Sequence, residues 1–373
     1  MLYKDGAAPI DGIRDYAEQL VASVRCDHGR EADLLLCAWR TAFTRRVRPH
    51  PLGSSQFSAL PDSDAPSSIL LVQYNPFSYG RWGVAPWLPL TVLRMRRRLK
   101  AARVGLMVHE AYVPFPPSRI RNWRSTVMAT WQRLQLFALL AAAEVVFVST
   151  EVVAAQLARK FPFRPTHHLP VGSNLPDMRG SRPLTRRRLG VDAETFVLAT
   201  LGIGRHPSRI SRYVTDAANA IVESGQRVLV LNLGSGAPPP QGLDPRIDVE
   251  TPGELDRQGL AEHLSAADLF VAPFVEGVST RRTSVMAALQ HELPVIGTEG
   301  EFTDSIFRRS SDAVELVPEG RPDAFAETAR RLASDDNARR TLATAGRALY
   351  ERAFDWPVIS EKLIRALSPD TRV

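Results

Sequence analysis

Residues 266–300 read AADLFVAPFVEGVSTRRTSVMAALQHELPVIGTEG, and their reading decides the fold. Residues 269–273 form a short apolar run without alternation, the pattern of a strand buried on both faces of a parallel sheet. A polar stretch follows, Thr283–Gln290 then carries apolar residues at helical spacing, and 294–297 is a second buried strand. Strand, loop, helix and strand make one βαβ unit, because parallel neighbours need such a crossover. The loop Glu276, Gly277, Val278, Ser279, Thr280, Arg281, Arg282, Thr283, Ser284 therefore stands at a helix N-terminus. Free backbone N–H groups, hydroxyls and two guanidiniums in that place suit a phosphate. A capped helix with solvated arginines accounts for the same residues equally well.

The same alternation extends in both directions. Strands are expected at 33–38, 68–73, 104–108, 144–149 and 167–171, with helices at 12–24, 86–100, 122–143 and 151–160. Further on, strands are expected at 196–201, 227–232, 248–250, 269–273, 294–297 and 313–317, with helices at 210–224, 258–266, 283–290, 322–334 and 336–352. Residues 49–66, rich in Pro, Ser and Asp, read as a long surface loop. Gly, Pro and Arg dominate 172–195, which predicts a linker. The organisation expected is a first α/β domain over 1–172, a linker at 173–190, a second over 191–353, and a helix within 354–373 that crosses back to the first. Both domains read as doubly wound and Rossmann-like, with ligands at the carboxyl ends of their strands.

Composition narrows the function. The 373 residues, 44% hydrophobic and 23% charged, have the balance of a soluble globular enzyme. No apolar run approaches the roughly 20 residues that span a bilayer. The start MLYKDGAAP lacks a basic region and an apolar core, so no secretory signal is read and a cytoplasmic protein is expected. Two cysteines, Cys26 and Cys37, exclude a disulfide framework and a cysteine-built metal site. The net charge of +7 is uneven: residues 1–170 hold 22 Lys+Arg against 12 Asp+Glu, whereas 171–373 hold 25 against 28. Between Arg81 and Arg133 lie eleven basic residues and one acid, Glu110. Arginine stems covering apolar surface explain part of this; an anionic partner (lipid headgroups, a phosphorylated substrate or nucleic acid) explains a cluster so one-sided better.

Four further places carry candidate chemistry. Residues 200–209, TLGIGRHPSR, end a strand with Gly202 and Gly204, which let a backbone approach a ligand, and with Arg205 and Arg209, which can clamp a diphosphate. Pro207 stands where a dinucleotide fingerprint needs glycine, so a nicotinamide enzyme is disfavoured. An apolar strand at 104–108 ends in His109 and Glu110, and Gly12 belongs to a small-residue turn that opens a helix. The aromatics near Gly80, with Tyr74, Asn75 and Tyr79, read as an acceptor-binding edge, although core packing suits most of them too.

Together these residues resemble the GT-B glycosyltransferases of the retaining family 4 type. Glu276-Gly277, with Met286-Ala287-Ala288 and Leu293-Pro294-Val295-Ile296, looks like that family's donor motif. His206-Pro207-Ser208-Arg209 looks like its glycine-loop phosphate clamp, and His109 and Gly12 match its first-domain histidine and glycine turn. The resemblance implies two Rossmann-like domains facing a cleft, and a UDP- or GDP-sugar as donor substrate with no cofactor. In it His109, Arg209 and Glu276 are catalytic. Gly12, Gly202, Gly204, Arg205, Thr251, Leu255 and the loop Gly277–Ser284 bind donor, and no metal is needed because cations of the protein neutralise the diphosphate. Acceptors implied are a lipid-linked or cell-surface glycan precursor or a natural product, with Glu110 on that side and anionic membrane as a contact of the basic first domain at the inner face. Nucleic acid is not an expected partner.

Three departures stand out. The family's ribose-binding glutamate is absent, Ser284 or Ala287 taking its place; Glu292 replaces the glycine before Pro-Val-Ile; and the opening strand is short, so either it is brief or the true start lies upstream. A GT-B-shaped protein that binds sugar or nucleotide without turnover is the competing reading.

Overall fold

The computed structural model describes residues 2–4, 12–30, 32, 34–37, 44–49, 55–58, 69–98, 103–118, 122–202, 207–234 and 239–368, with the backbone alone for the first four strands and for residues 81, 98 and 207–209. Contacts divide the chain into two units, Met1–Pro170 with Trp356–Val373, and Val171–Asp355.

In chain order the first unit runs β1 (Leu2–Lys4), α1 (Gly12–Cys26), β2 (Leu34–Cys37), β3 (Thr44–Pro49), β4 (Ser55–Ser58), β5 (Ile69–Tyr74), α2 (Pro76–Tyr79), α3 (Trp87–Arg98), β6 (Arg103–Val108), α4 (Trp123–Ala142), β7 (Val145–Val148), α5 (Glu151–Lys160) and β8 (Thr166–His168). Its sheet has the order β4-β3-β2-β1-β5-β6-β7-β8, parallel except that β3 pairs antiparallel with β2 and β4. One face, with Leu70, Val72, Val104, Leu106, Val146 and Val148, packs on Leu88, Val92 and Met95 of α3 and Leu136, Leu139 and Leu140 of α4.

The hairpin β3–β4 falls partly where the sequence predicted only a loop. TRRVRP and SQFS lack an apolar run: β3 is paired on both sides, β4 closes the edge of the sheet, and antiparallel strands need no second buried face. The carboxyl-terminal helix, α13 (Trp356–Leu367, numbered after the helices below), belongs to this unit. Trp356 meets Tyr16 of α1 with ring centroids 5.4 Å apart, Ser360 Oγ lies 2.8 Å from Ser23 Oγ, and Leu367 approaches the sheet at Gly105.

The second unit runs α6 (Arg182–Arg188), β9 (Phe196–Leu201), α7 (Pro207–Glu223), β10 (Val228–Leu233), β11 (Asp248–Glu250), α8 (Arg257–Ser265), β12 (Leu269–Ala272), α9 (Thr283–Gln290), β13 (Val295–Glu299), α10 (Ser305–Arg309), β14 (Glu315–Pro318), α11 (Pro322–Ser334) and α12 (Asp336–Ala353). The sheet order is β11-β10-β9-β12-β13-β14, every pairing parallel. α7 and α11 cover the face carrying Phe196, Leu198, Val228, Val230, Leu269 and Val271. The alternate residues Val197, Ala199, Leu229, Leu231 and Phe270 are buried too. Burial on both faces is why these strands are apolar without alternation.

The expected linker at 173–190 is instead part of this unit. Arg186, 8% exposed, donates to the carbonyls of Ala266, Asp192 and Thr195 and to Asp268, whose carboxylate also accepts the Val197 N–H at 2.8 Å. Arginines that read as linker polarity are internal ties between α6 and the first strand of the sheet.

Candidate functional site

In the second sheet the chain moves outward from β9 through β10 to β11 on one side, and from β12 through β13 to β14 on the other. The boundary between β9 and β12 is a topological switch point, where diverging loops open a crevice at the carboxyl ends of the strands. The two loops singled out in the sequence stand there. After β9, Gly202 takes φ +79° and donates its N–H to Leu233 O at 3.0 Å. Gly204, Arg205 and His206 lie outside the described residues. Pro207 opens α7, where a missing N–H costs nothing, and Arg209 is in its first turn, described in backbone only.

After β12 the loop turns at Gly277, φ +88°, where a Cβ would fall on Thr303 Oγ1 and Gly300 N. Val278 donates to Thr298 O at 2.9 Å. Thr280 is then fastened to Asp304, itself 1% exposed: the Thr280 N–H and hydroxyl both donate to Asp304 Oδ2 at 2.7 Å. The Ser279 hydroxyl is buried with no partner among the described residues. Arg281 lies over the Phe302 ring at 5.3 Å and Arg282 over Phe274 at 4.2 Å, and both guanidiniums reach the Glu276 carboxylate. Two cations against one anion leave the loop net positive, at the positive end of the α9 dipole where Thr283 and Ser284 form the first turn.

The structure thus sets Gly202 and the loop Glu276 through Ser284 after the adjacent strands β9 and β12, with the backbone of Arg209 in the first turn of α7. Thr251 and Leu255 follow β11, two strands from β9 at the same edge; Thr251 is exposed, and Asp256 beyond them caps α8 through the Gly259 N–H at 2.7 Å. Of the two residues aligned with the family's absent glutamate, Ser284 is in the first turn of α9 and Ala287 is buried in it. Glu292 takes φ +56°, the left-handed backbone its glycine counterpart would adopt freely.

In the first unit, His109 follows β6 directly. Its backbone N–H donates to Tyr74 O at 2.9 Å, its Nε2 lies 2.7 Å from Gln73 Oε1, and its ring stands edge-on to Tyr16 at 5.2 Å. With Gln73 Oε1 as the acceptor, Nε2 is the donor of that bond. Gly12 begins α1 and is exposed; Glu110 is half-buried.

The acceptor-edge expectation needs correction. Tyr74 and Tyr79 are 0% and 1% exposed. Tyr74 OH accepts from Gln135 at 3.3 Å and burial pushes its ionisation well above the usual phenol range, while Tyr79 OH donates to Gln73 O. Both are core residues that brace β5. Asn75 spends its side chain capping α2, accepting the Phe77 N–H at 2.9 Å.

Two residues escaped the sequence reading. Gln73, wholly buried, orients His109; the visible signal was a lone amide inside the apolar run ILLVQY. Asp304 supports the loop from 24 residues beyond Thr280, with no local pattern to mark it. Among the described residues no group of three His, Cys, Asp or Glu is placed to hold a metal ion.

Residues 197–335 match the family Glycosyl transferases group 1. A curated relative, the GDP-mannose-dependent monoacylated alpha-(1-6)-phosphatidylinositol monomannoside mannosyltransferase of Corynebacterium glutamicum, is 27% identical over 231 residues, 57% of this chain and 58% of that protein. The match therefore spans little more than half the relative's length. Among solved structures, WaaG, a glycosyltransferase involved in lipopolysaccharide biosynthesis, aligns over 99% of this chain and 100% of its own at 15% identity and TM-score 0.62. Anabaena Alr3699/HepE in complex with UDP-glucose aligns over 98% of each chain at 12% identity and TM-score 0.60.

Proposed function

From the premise that the chain has the GT-B fold and that residues 197–335 are a glycosyl transferases group 1 domain, we propose that it is a retaining, hexosyltransferase-type enzyme moving a sugar from a nucleoside-diphosphate-sugar to a hydroxyl acceptor. The observation that carries the reading is the 276–284 loop: a glycine turn held by buried Asp304, with two arginines and a helix N-terminus, at a switch point. As the glycosidic bond lengthens, charge grows on the leaving diphosphate. Positive groups already in place stabilise it without reorganisation. Arg209 and Arg205 take that role together with Ser279, Thr283 and Ser284, and none of it falls to a metal ion; Thr280, whose N–H and hydroxyl both go to Asp304, braces the loop instead of donating to phosphate. Glu276, already held by Arg281 and Arg282, receives the sugar hydroxyls; His109, oriented by Gln73, positions the sugar. The leaving phosphate accepts the acceptor's proton, and no general base is assigned.

UDP and GDP both remain as donors, the curated relative being named for GDP-mannose and the HepE structure holding UDP-glucose. The acceptor in this reading is a lipid-linked or cell-surface glycan precursor met at the inner membrane face, with a natural product as its rival. A relative named for a phosphatidylinositol mannoside and a neighbour in lipopolysaccharide biosynthesis support the former. The test is a thermal-shift panel with UDP, GDP, TDP and NADH, each with EDTA and with magnesium. Stabilisation by one nucleoside diphosphate, undiminished by EDTA, is expected, because a ligand of the native state must raise its melting point. A shift with NADH alone would overturn the reading, and no shift at all would favour a protein without turnover.

A further inference from the structure

Helix α4 turns an apolar face to solvent. Trp123, Val127, Trp131, Leu134 and Phe137 are between 46% and 60% exposed. Their spacing of four, four, three and three residues sets them on one stripe, opposite the buried Ala129, Gln132, Leu136 and Leu139. A surface helix ordinarily carries its charges on such a face. In these 20 residues there are two charges, Arg124 and Arg133, and no acid.

Helix α3, packed beside it, repeats the pattern: Leu90, Leu93, Arg94 and Arg97 share its exposed side, again with no acidic residue in the helix. Arg96 is not among them, being paired with Glu144 at 2.7 Å. Trp82, 62% exposed, is held in left-handed backbone (φ 60°), and its carbonyl accepts from Gln132 of α4 at 3.0 Å. A bulky residue adopts that conformation only where its surroundings enforce it. At the far end, exposed Phe163 meets Phe137 with centroids 6.3 Å apart, under Arg164 at 5.7 Å.

We propose that this face of α4, with α3 beside it, docks the chain on the surface of a bilayer containing anionic lipid. Trp123 and Trp131 lie at headgroup level, Leu134 and Phe137 enter the acyl boundary, and Arg94, Arg97 and Arg124 meet lipid phosphates. Tryptophan rings are amphipathic and settle at that interface, where each nearby arginine adds attraction to an anionic leaflet. The charge decides the occupant: a second copy would set like-charged arginines against each other, whereas an anionic surface complements them. The helix lies on the membrane and does not enter it lengthwise; among the described residues no helix is long and apolar enough to cross. The proposal rests on the reading of a membrane-borne acceptor but is tested without turnover.

Full-length protein is sedimented with vesicles of phosphatidylcholine alone and of phosphatidylcholine with phosphatidylglycerol, and tryptophan emission is followed. Wild type is expected to pellet with the anionic vesicles, to be released by salt, and to shift its emission to the blue. Trp123→Ser with Trp131→Ser, and separately Arg94→Gln with Arg97→Gln, should each weaken binding about tenfold or more while keeping the circular-dichroism melt. No binding of wild type to anionic vesicles, or unchanged affinity in either double variant, overturns the proposal. So does a wild-type dimer that the tryptophan variant dissolves, which would assign the face to a second copy. Vesicle binding without any nucleotide-induced thermal shift would count against the transferase reading alone.

Discussion

Replacing Asp304 with alanine should cost the second unit about 2–5 kcal/mol and release the loop that begins α9. The figure comes from what the carboxylate holds. One oxygen accepts both the backbone N–H and the hydroxyl of Thr280 at 2.7 Å, in a site where Asp304 is 1% exposed. A buried N–H left without an acceptor costs about 1–3 kcal/mol, and a hydroxyl bond to a carboxylate is worth roughly 1.5–3 kcal/mol, less what the hydroxyl recovers by turning elsewhere. Against the ordinary 5–15 kcal/mol of a folded domain this is a large fraction, at about the most such a substitution does.

The chain supplies its own control, because all six tryptophans (Trp39, Trp82, Trp87, Trp123, Trp131 and Trp356) lie outside residues 171–355. In urea, the variant's circular-dichroism transition should acquire an early phase that tryptophan fluorescence does not follow. Asp304→Asn, which keeps the shape and one acceptor oxygen, should fall between wild type and alanine. A double-mutant cycle with Thr280→Val should return a coupling of about 1.5–3 kcal/mol. A loss below about 1 kcal/mol for Asp304→Ala, or no coupling in the cycle, would refute the claim that this residue latches the loop.

Arg209→Ala should lower turnover by about 10²–10³, the scale of losing one preorganised group at a developing charge, with the melt in the absence of ligand unchanged; turnover at the wild-type rate removes Arg209 from the site. Burial holds the His291 imidazole below its ordinary pKa of 6.5 while its Nδ1 bonds Ala287 O at 2.8 Å, so the unfolded chain takes up the proton first as pH falls. Its stabilisation is therefore complete above about 6.5 and lost below it, with a slope of at most about 1.4 kcal/mol per pH unit, and His291→Gln should flatten the dependence of the urea midpoint in that window. An identical slope in the variant would refute this. Glu292→Gly should relieve left-handed backbone worth about 1–2 kcal/mol, offset by roughly 0.5–1 kcal/mol of added freedom in the unfolded chain. The exposed Glu292–Arg179 pair at 3.8 Å adds little, so a Tm rise of a few degrees is expected in calorimetry; a fall would show that the contacts to Arg179 and Thr344 outweigh the strain.

The fold was legible wherever burial is continuous. Strands β9, β10 and β12 are apolar on both faces, and Thr283–Gln290, Pro322–Ser334 and the start of α12 fall where periodicity set them. It was not legible where a ladder holds polar side chains. TRRVRP pairs with β2 and β4 through its backbone, which side-chain patterning does not report. Charge misled in the same way at 173–190, since Arg182 and Arg186 look alike in sequence whether they face water or bond Asp268.

For the site, the residue types that suit a phosphate were readable because glycine, hydroxyl and arginine before a helix are a local pattern. Which aromatics face solvent was not. Tyr74 and Tyr79 are core, whereas Trp123 and Trp131 of α4 point outward.

By itself the sequence determined the order of the buried parallel strands and their crossover helices, the glycine turns and the placement of the 276–284 loop at a helix start, because these follow from contacts a few residues apart. Only the tertiary structure decided that Asp304 holds Thr280, that Gln73 orients His109 and that Glu292 sits in left-handed backbone. The first two depend on segments far apart in the chain meeting where water is largely excluded, so that a single hydrogen bond is worth more than any local preference that could have announced it; the third is a backbone conformation that glutamate does not announce.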